Sequence, residues 1–180
     1  MKKLLAITSI ALLTSTTYAA EATIDYNEIS AGYSSMEMNS NTYTGYGVSA
    51  SYLLTENFFV IGSYGSLEKS PTTIASTSAS VGYRMPIAVN TDAVATIGYG
   101  YTTITSQPHQ DSYPMTLGIR SSLTPDIDVG ANLVYVEATD AQSGFSASVK
   151  YKLSNNLFIR GDYRNLTDST MYSIGVGMKF

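Results

Sequence analysis

The chain has 180 residues, which fits one domain, and its charged fraction of 13% is about half that of an ordinary soluble domain. The absence of cysteine excludes a disulfide framework and a cysteine-linked lipid anchor. The formal net charge of −4 excludes a strongly basic surface, so we expect no nucleic-acid partner.

The N-terminus has the pattern of a secretory leader. Lys2 and Lys3 supply a positive start, an apolar run over 4–13 follows, and small residues come next. The apolar run is too short for a membrane-spanning helix, which is the alternative interpretation. We therefore predict a signal peptide over 1–19, with cleavage one residue later as the alternative, and one mature domain over 20–180.

Apolar and small polar residues alternate with a period of two along the rest of the chain. This pattern is typical of strands whose two faces meet different environments. No later stretch reaches eighteen consecutive apolar residues, so we expect no helical membrane span. The last segment shows the pattern most clearly, with one face made of Tyr172, Ile174, Val176, Met178 and Phe180 and the other of Ser173, Gly175, Gly177 and Lys179.

Ten segments carry this alternation, and each has about the length that a tilted strand needs to cross a bilayer. Because lipid cannot satisfy an exposed strand edge, such strands must close on themselves, with the first paired to the last. The sequence thus predicts an all-β, closed, antiparallel up-and-down transmembrane barrel of ten strands, or of eight if two segments merge. The predicted strands are 24–35, 43–54, 57–68, 75–86, 93–103, 113–123, 126–136, 144–153, 156–166 and 171–180.

A hairpin unit repeats within the chain. SYLLTENFFVIGSY over 51–64 aligns with KYKLSNNLFIRGDY over 150–163, and 121–135 is a looser copy of the same strand, turn and strand. Aromatic residues fall near both ends of the predicted strands, with Tyr33 at the loop ends and Tyr26 at the short-turn ends. This placement predicts two interfacial girdles.

The inward faces of the strands offer the only place for a buried polar site. Either these side chains pair across the lumen, for instance Arg160 and Arg164 with Asp162 or Asp128, or they line a narrow water path whose surplus cations favour small anions. Ten strands lie between the barrels that side chains fill and the wide porins, so both interpretations stay open. The predicted polar network consists of Glu28, Arg84, Arg120, Asp128, Asn132, Lys150, Lys152, Arg160, Asp162, Arg164 and Lys179.

Residues suited to catalysis or metal binding are sparse. His109 is the only histidine, and it lies in a predicted loop with Asp111 and Ser112 nearby. A hydrolase centred on His109 is a remote hypothesis, and a solvated loop histidine is the favoured interpretation. The scattered carboxylates have no ligand spacing, so we expect no metal, no cofactor and no enzymatic activity.

Five predicted outer loops are short and acidic. Their composition suits a hydrated surface beside lipopolysaccharide, and a surface for interaction or adhesion is the alternative, although loops of this length offer little area. Their charged residues are Glu37, Glu68, Asp111, Glu137, Asp140 and Asp168, against Lys69.

The predicted mature domain resembles the small outer-membrane β-barrel proteins of Gram-negative bacteria, the OmpA/OmpX-like group in the broad sense. The most specific part is the C-terminus, where alternating hydrophobic residues end in Phe180, eight residues after Tyr172. In such proteins this ending resembles a signal read by the barrel-assembly machinery. The resemblance implies an outer-membrane monomer among lipid and lipopolysaccharide, delivered by periplasmic chaperones, with a structural or narrow passive-channel (porin-like) role.

Lipid exposure of one face predicts how substitutions in the last strand act. Arginine in place of Val176 should destabilise the barrel, because that face meets acyl chains. Serine in place of Gly175, on the lumenal face, is expected to cost little.

Overall fold

A computed structural model describes residues 24–180, which form a closed barrel of ten antiparallel strands. Each strand pairs with its neighbours in chain order, and the first pairs with the last. The predicted ten-stranded up-and-down barrel is confirmed, and the eight-stranded alternative is wrong. The strands are β1 (Glu28–Met38), β2 (Asn41–Leu53), β3 (Phe58–Lys69), β4 (Thr72–Ala88), β5 (Thr91–Ile104), β6 (Gln110–Thr124), β7 (Ile127–Glu137), β8 (Gln142–Lys152), β9 (Leu157–Leu166) and β10 (Ser169–Lys179).

The predicted signal peptide over 1–19 lies outside the residues that the structure describes. Within 24–180, no helix has the length and apolar character needed to cross a membrane.

The two ends of the barrel differ in their connections. At the terminal end, where β1 begins and β10 ends, the turns are 54–57, 89–90, 125–126 and 153–156. At the opposite, loop end, the connections are 39–40, 70–71, 105–109, 138–141 and 167–168. These loops are shorter than predicted, because the strands continue into most of the residues that we assigned to loops.

Most strand ends lie within three residues of their predicted positions. The largest difference is at β1, which begins at Glu28 and not at residue 24. The preceding residues leave the sheet and enter the lumen, where Ile24 and Tyr26 are buried. Tyr26 therefore does not belong to the aromatic girdle in which we predicted it.

Side chains alternate between the lumen and the outer surface along the strands. In β10, Ile174 and Val176 lie on the outside and are more than half exposed, whereas Ser173 and Gly177 face inward. Tyrosines such as Tyr46 lie on the outer surface. This outer surface is apolar enough to contact acyl chains, and the small inward residues leave room in the lumen for longer polar ones.

Inward glycines let neighbouring strands come close on the lumenal side. Gly175, Gly32, Gly47 and Gly65 pair in one row across β10, β1, β2 and β3. A Cβ on Gly175 would lie 2.6 Å from the carbonyl oxygen of Ala31, which is too close without a backbone shift. The expectation that Gly175→Ser costs little is therefore wrong, because a side chain at this position would push against the backbone of β1.

Candidate functional site in the barrel lumen

The terminal end of the lumen is filled by the first inward residue after each turn. Those residues are Phe59, Asp92, Asp128 and Phe158, each the second residue of its strand. Their exposures are 2%, 3%, 2% and 1%. The repeated turn thus delivers one buried side chain to the same level of the lumen four times.

The hydrogen bonds of the turns agree with the predicted hairpin repeat. The hydroxyl of Thr55 accepts the N–H of Phe58 over 3.0 Å, and that of Ser154 accepts the N–H of Leu157 over 3.1 Å. In the looser copy, Thr124 accepts the N–H of Ile127 over 3.1 Å. Such side-chain bonds fix a tight turn without help from glycine.

The two repeated phenylalanines each cover an inward glycine on the next strand. The ring of Phe59 occupies the space that a Cβ on Gly82 would need, and the ring of Phe158 does the same at Gly177. The ammonium of Lys150 lies 4.7 Å from the centroid of the Phe158 ring, which is close enough for a cation–π contact. The two rings therefore fill the space beside these glycines, and the Phe158 ring also contacts the ammonium of Lys150.

Glu28 connects β1 to three strands that are not its neighbours in the sheet, β6, β8 and β9. Its carboxylate hydrogen-bonds the ammonium of Lys150 and lies 3.4 Å from the guanidinium of Arg120. The guanidinium of Arg160 approaches it at 3.8 Å. Glu28 is buried, so its carboxylate depends on these cations for the compensation that water does not supply.

A second carboxylate, Asp128, holds the lysines of β8. Its Oδ1 lies 2.9 Å from the ammonium of Lys152, and its Oδ2 lies 3.8 Å from that of Lys150. The hydroxyl of Ser122 also hydrogen-bonds this carboxylate. Lys150 therefore connects Asp128 to Glu28, and the two carboxylates belong to one network.

The remaining half of the terminal end is built around Tyr26. Its hydroxyl donates to Oδ2 of Asp92 over 2.9 Å, and Nε of Arg84 lies 3.1 Å from the same oxygen. The guanidinium carbons of Arg84 and Arg120 lie 5.0 and 4.8 Å from the ring centroid. Burial raises the pKa of the Tyr26 phenol, so the hydroxyl keeps the proton that it donates.

Above this level the lumen is lined by small hydroxyl side chains. Neighbouring strands exchange hydroxyl hydrogen bonds, such as Ser30 with Ser49 and Ser63 with Ser78. Closer to the loop end an apolar cluster covers part of the lumen wall. It contains Met36, Leu67 and Ile74, with Met38, Tyr43, Ile104 and Met171 packed against them.

The structure places the predicted network residues on inward faces, and of the pairs suggested by the sequence it contains Arg160 with Asp162. Arg160 pairs with Asp162 over 2.7 Å, whereas Asp128 binds lysines and no arginine. Lys179 pairs with Asp25 over 2.6 Å, and the amide of Asn132 donates to Ser146 over 3.3 Å.

Arg164 differs from the other lumenal basic residues. Among residues 24–180 no carboxylate lies within ion-pair distance of it, and its side chain is exposed. It lies in β9, beyond Asp162 towards the loop end, where it pairs across strands with Ser146 and Met171. The lumen is therefore open to water at this level.

Sequence reasoning missed Asp92 and Tyr26, although each left a signal. Asp92 occupies the same post-turn position as Asp128, and the alternation of Val94 and Thr96 assigns it to the lumen. Tyr26 left a weaker signal, because a segment that enters the lumen has no period of its own.

The loop histidine lies outside this network. The ring of His109 stacks on that of Tyr101 at 5.1 Å, and the carboxylate of Asp111 accepts the hydroxyl of Tyr99. Within the described part of the chain, no three histidine, aspartate or glutamate side chains are grouped closely enough to hold a metal ion.

Comparison with known proteins gives this barrel its family. The model of the outer membrane protein beta-barrel domain matches residues 5–180. The chain belongs to this family. It is thus an outer-membrane β-barrel protein, and the resemblance seen in the sequence is confirmed, as is its location in the bacterial outer membrane.

Solved structures share the fold at low sequence identity. The KdgM porin is 14% identical with a TM-score of 0.52, and the match covers 84% of this chain and 99% of that one. KdgM in complex with disordered oligogalacturonate gives 14% and 0.51, with 85% and 99% covered. The COG4313 outer membrane channel from Pseudomonas putida F1 gives 8% and 0.53, with 92% and 100% covered. No curated protein sequence matches this chain.

Proposed function

We propose that the protein is a non-enzymatic outer-membrane barrel whose lumen is a narrow passive path for small ions, with preference for anions. The observation that carries the proposal is the exposed Arg164, which has no ion-pair partner among the described residues, in a lumen lined by hydroxyl side chains. The ion-paired terminal end makes the path narrow, since Glu28, Asp92 and Lys150 are buried there. Large solutes would have to displace these side chains, so the structure favours small ions.

Lumenal charge supports the preference for anions. Among residues 24–180, seven basic residues face the lumen and five carboxylates pair with six of them, which leaves a surplus of two positive charges. Rings of one charge sign select ions of the other in narrow pores. The basic residues are Arg84, Arg120, Lys150, Lys152, Arg160, Arg164 and Lys179, and the carboxylates are Asp25, Glu28, Asp92, Asp128 and Asp162.

The names of the similar structures agree with such a role, but they describe those proteins. KdgM is a porin and the Pseudomonas putida F1 protein is an outer membrane channel. At 14% and 8% identity they share the fold with this chain, and fold does not determine function. The support therefore comes from the lumen of this chain itself.

Ion selectivity in planar lipid bilayers tests the proposal. The parent protein should give small, discrete conductance steps with a reversal potential that indicates anion preference. Arg164→Glu should shift that reversal potential towards cations, since it lowers the lumenal charge by two.

Lys69 provides the matched control, because its ammonium bonds Asn41 at the exposed rim of the loop end. Lys69→Glu makes the same change in charge and should shift the reversal potential less. A folded parent protein that gives no conductance would remove the channel and leave a structural role only.

The other two hypotheses gain less support. A binding or adhesion surface would have to form from the loops, of which three have only the residues 39–40, 70–71 and 167–168. A hydrolase would need a proton-transfer partner for His109, and Asp111 instead accepts a hydrogen bond from Tyr99. Loss of a hydrolytic activity in the His109→Ala variant would support the hydrolase hypothesis.

For biogenesis we propose that residues 1–19 are a signal peptide and that 20–180 form the mature domain, a monomer among lipid and lipopolysaccharide. Periplasmic chaperones would deliver it, and the barrel-assembly machinery would recognise the outer face of β10. That face is exposed along its length, which supports the proposal. It consists of Tyr172, Ile174, Val176, Met178 and Phe180.

Recognition by the assembly machinery is supported if a substitution in this face reduces assembly in cells but does not affect refolding of the purified chain. Phe180→Ala should lower the amount of folded barrel in cells but leave refolding of the purified chain in detergent unchanged. Equal folding in cells would contradict it.

A further inference from the structure

The segment 24–27 lies inside the barrel without being one of its strands. Its side chains contact strands that do not neighbour β1. Ile24 and Tyr26 share an apolar cluster with Phe59 of β3 and Val94 of β5, and Tyr26 bonds Asp92 of β5. We propose that this segment is a displaceable plug, and that the lumenal slot around Tyr26 is a binding site specific for a phenol. This inference rests on the proposed ion path, because the plug regulates that path.

The slot recognises both parts of a phenol. Asp92 accepts the hydroxyl, and the guanidinium groups of Arg84 and Arg120 lie near the ring, as cations do over aromatic faces. The ring of Phe59 adds a tilted aromatic contact with centroids 4.8 Å apart. A phenyl ring without the hydroxyl would leave one oxygen of Asp92 with a partner fewer, so the hydroxyl gives the slot its specificity.

The slot can persist when the phenol leaves. Asp92 keeps its ion pair with Arg84 at 3.1 Å, and Arg120 keeps Glu28 at 3.4 Å. No charge in the slot depends on Tyr26 for its only partner. Departure of the ring therefore leaves paired charges and a cavity, and does not leave an uncompensated ion.

Apart from the contacts of Ile24 and Tyr26 in the slot, the described attachments of the segment lie beside the ends of β2 and β10, where Asp25 pairs with Lys179 over 2.6 Å. Asn27 accepts the N–H of Leu53 over 2.7 Å through its side chain and the N–H of Phe180 over 3.2 Å through its carbonyl. Further in, the hydroxyl of Ser51 donates to the carbonyl of Tyr26 over 2.6 Å. Asn27 can thus serve as the pivot, while Ile24 and Tyr26 move out of the lumen together.

The two halves of the terminal end then have different roles. The Glu28 network with Lys150 and Arg160 ties β1 to β8 and β9 and remains in place. The half beside β2 to β5 is filled by Ile24 and Tyr26 and opens when they leave. A path would form beside this network and not through it.

Chemical rescue of a truncated side chain tests the plug. Tyr26→Ala should raise the single-channel conductance several-fold, since it removes the ring that fills the slot. Added p-cresol, which is the missing side chain as a free molecule, should return the conductance towards the parent value, because a cavity of matching shape and polarity binds what it lost. Toluene at equal concentration should act more weakly, because it lacks the hydroxyl.

Tyr46→Ala is the matched control, because Tyr46 lies on the outer surface. It should leave the conductance unchanged and insensitive to p-cresol. Unchanged conductance in a folded Tyr26→Ala barrel would overturn the plug even if the parent conducts as proposed. A silent parent with a conducting variant would support the plug and remove the parent's open path, so the two proposals fail separately.

Thiol labelling keeps the plug testable if Tyr26→Ala does not fold. The chain has no cysteine, so Ile24→Cys gives a single buried thiol. This thiol should react slowly with a membrane-impermeant maleimide, and faster when combined with Tyr26→Phe, which loses only the hydrogen bond to Asp92. Equal rates in the two backgrounds would overturn the plug.

Discussion

At the scale of single residues, Glu28 is the described lumenal carboxylate that contacts the most cations, with three. Glu28→Gln keeps the shape but leaves Lys150, Arg120 and Arg160 with less negative charge to compensate them. Breaking a buried ion pair costs about 3–5 kcal/mol, so we expect a loss of that order in the free energy of unfolding. Urea titration of the barrel in lipid vesicles, followed by far-UV circular dichroism, measures this free energy.

Asp162→Asn is the control for this substitution. Asp162 pairs with Arg160 as closely as 2.7 Å, but a third of each side chain is exposed. Solvent screens such a pair, so the loss should be smaller, roughly 0–1 kcal/mol. Equal losses for Glu28→Gln and Asp162→Asn would mean that the terminal end is hydrated and not closed.

At the scale of the hairpin, the repeated turn places a phenylalanine against a glycine of the next strand. Phe158→Ala removes a fully buried ring, which costs about 3–5 kcal/mol in a packed core. The neighbouring Leu157 points outward and is half exposed, so Leu157→Ala should cost clearly less. The same unfolding measurement compares the two, and a smaller loss for Phe158→Ala would show that the ring packs loosely over Gly177.

The strands and hairpins were predicted well from the sequence, because the alternation of residue types separates the side chains that face lipid from those that face the lumen. Each inward residue of the polar network follows from counting in steps of two, and the strand number follows from the turns between alternating runs. The partners do not follow from alternation, since the register of β7 and β8 sets Asp128 opposite Lys150 and within reach of Lys152, and no spacing in the chain shows this. Tyr26 escaped prediction because its position depends on side chains from β3 to β6.

At the scale of the whole molecule, the barrel has an apolar exterior and an ion-paired lumen in place of a hydrophobic core. This arrangement is stable only where acyl chains cover the outside, since the closed sheet otherwise presents residues such as Ile174 to water. Seven of the eight basic residues in 24–180 face inward, which keeps nearly all basic side chains off the lipid-facing surface. Acidic side chains at the loop end and in the turns then supply most of the charge that meets water.

Val176→Arg tests this arrangement directly. Val176 lies on the outer face near the middle of β10, where an arginine should cost about 2–4 kcal/mol of the free energy of folding into lipid vesicles. Val89→Arg is the matched control, since Val89 lies in a terminal-end turn and is 92% exposed. There the same substitution should cost about 0–1 kcal/mol, because the penalty falls towards the interface. Equal costs at the two positions would mean that the bilayer does not surround the middle of β10, and the assignment of the outer face to lipid would then be wrong.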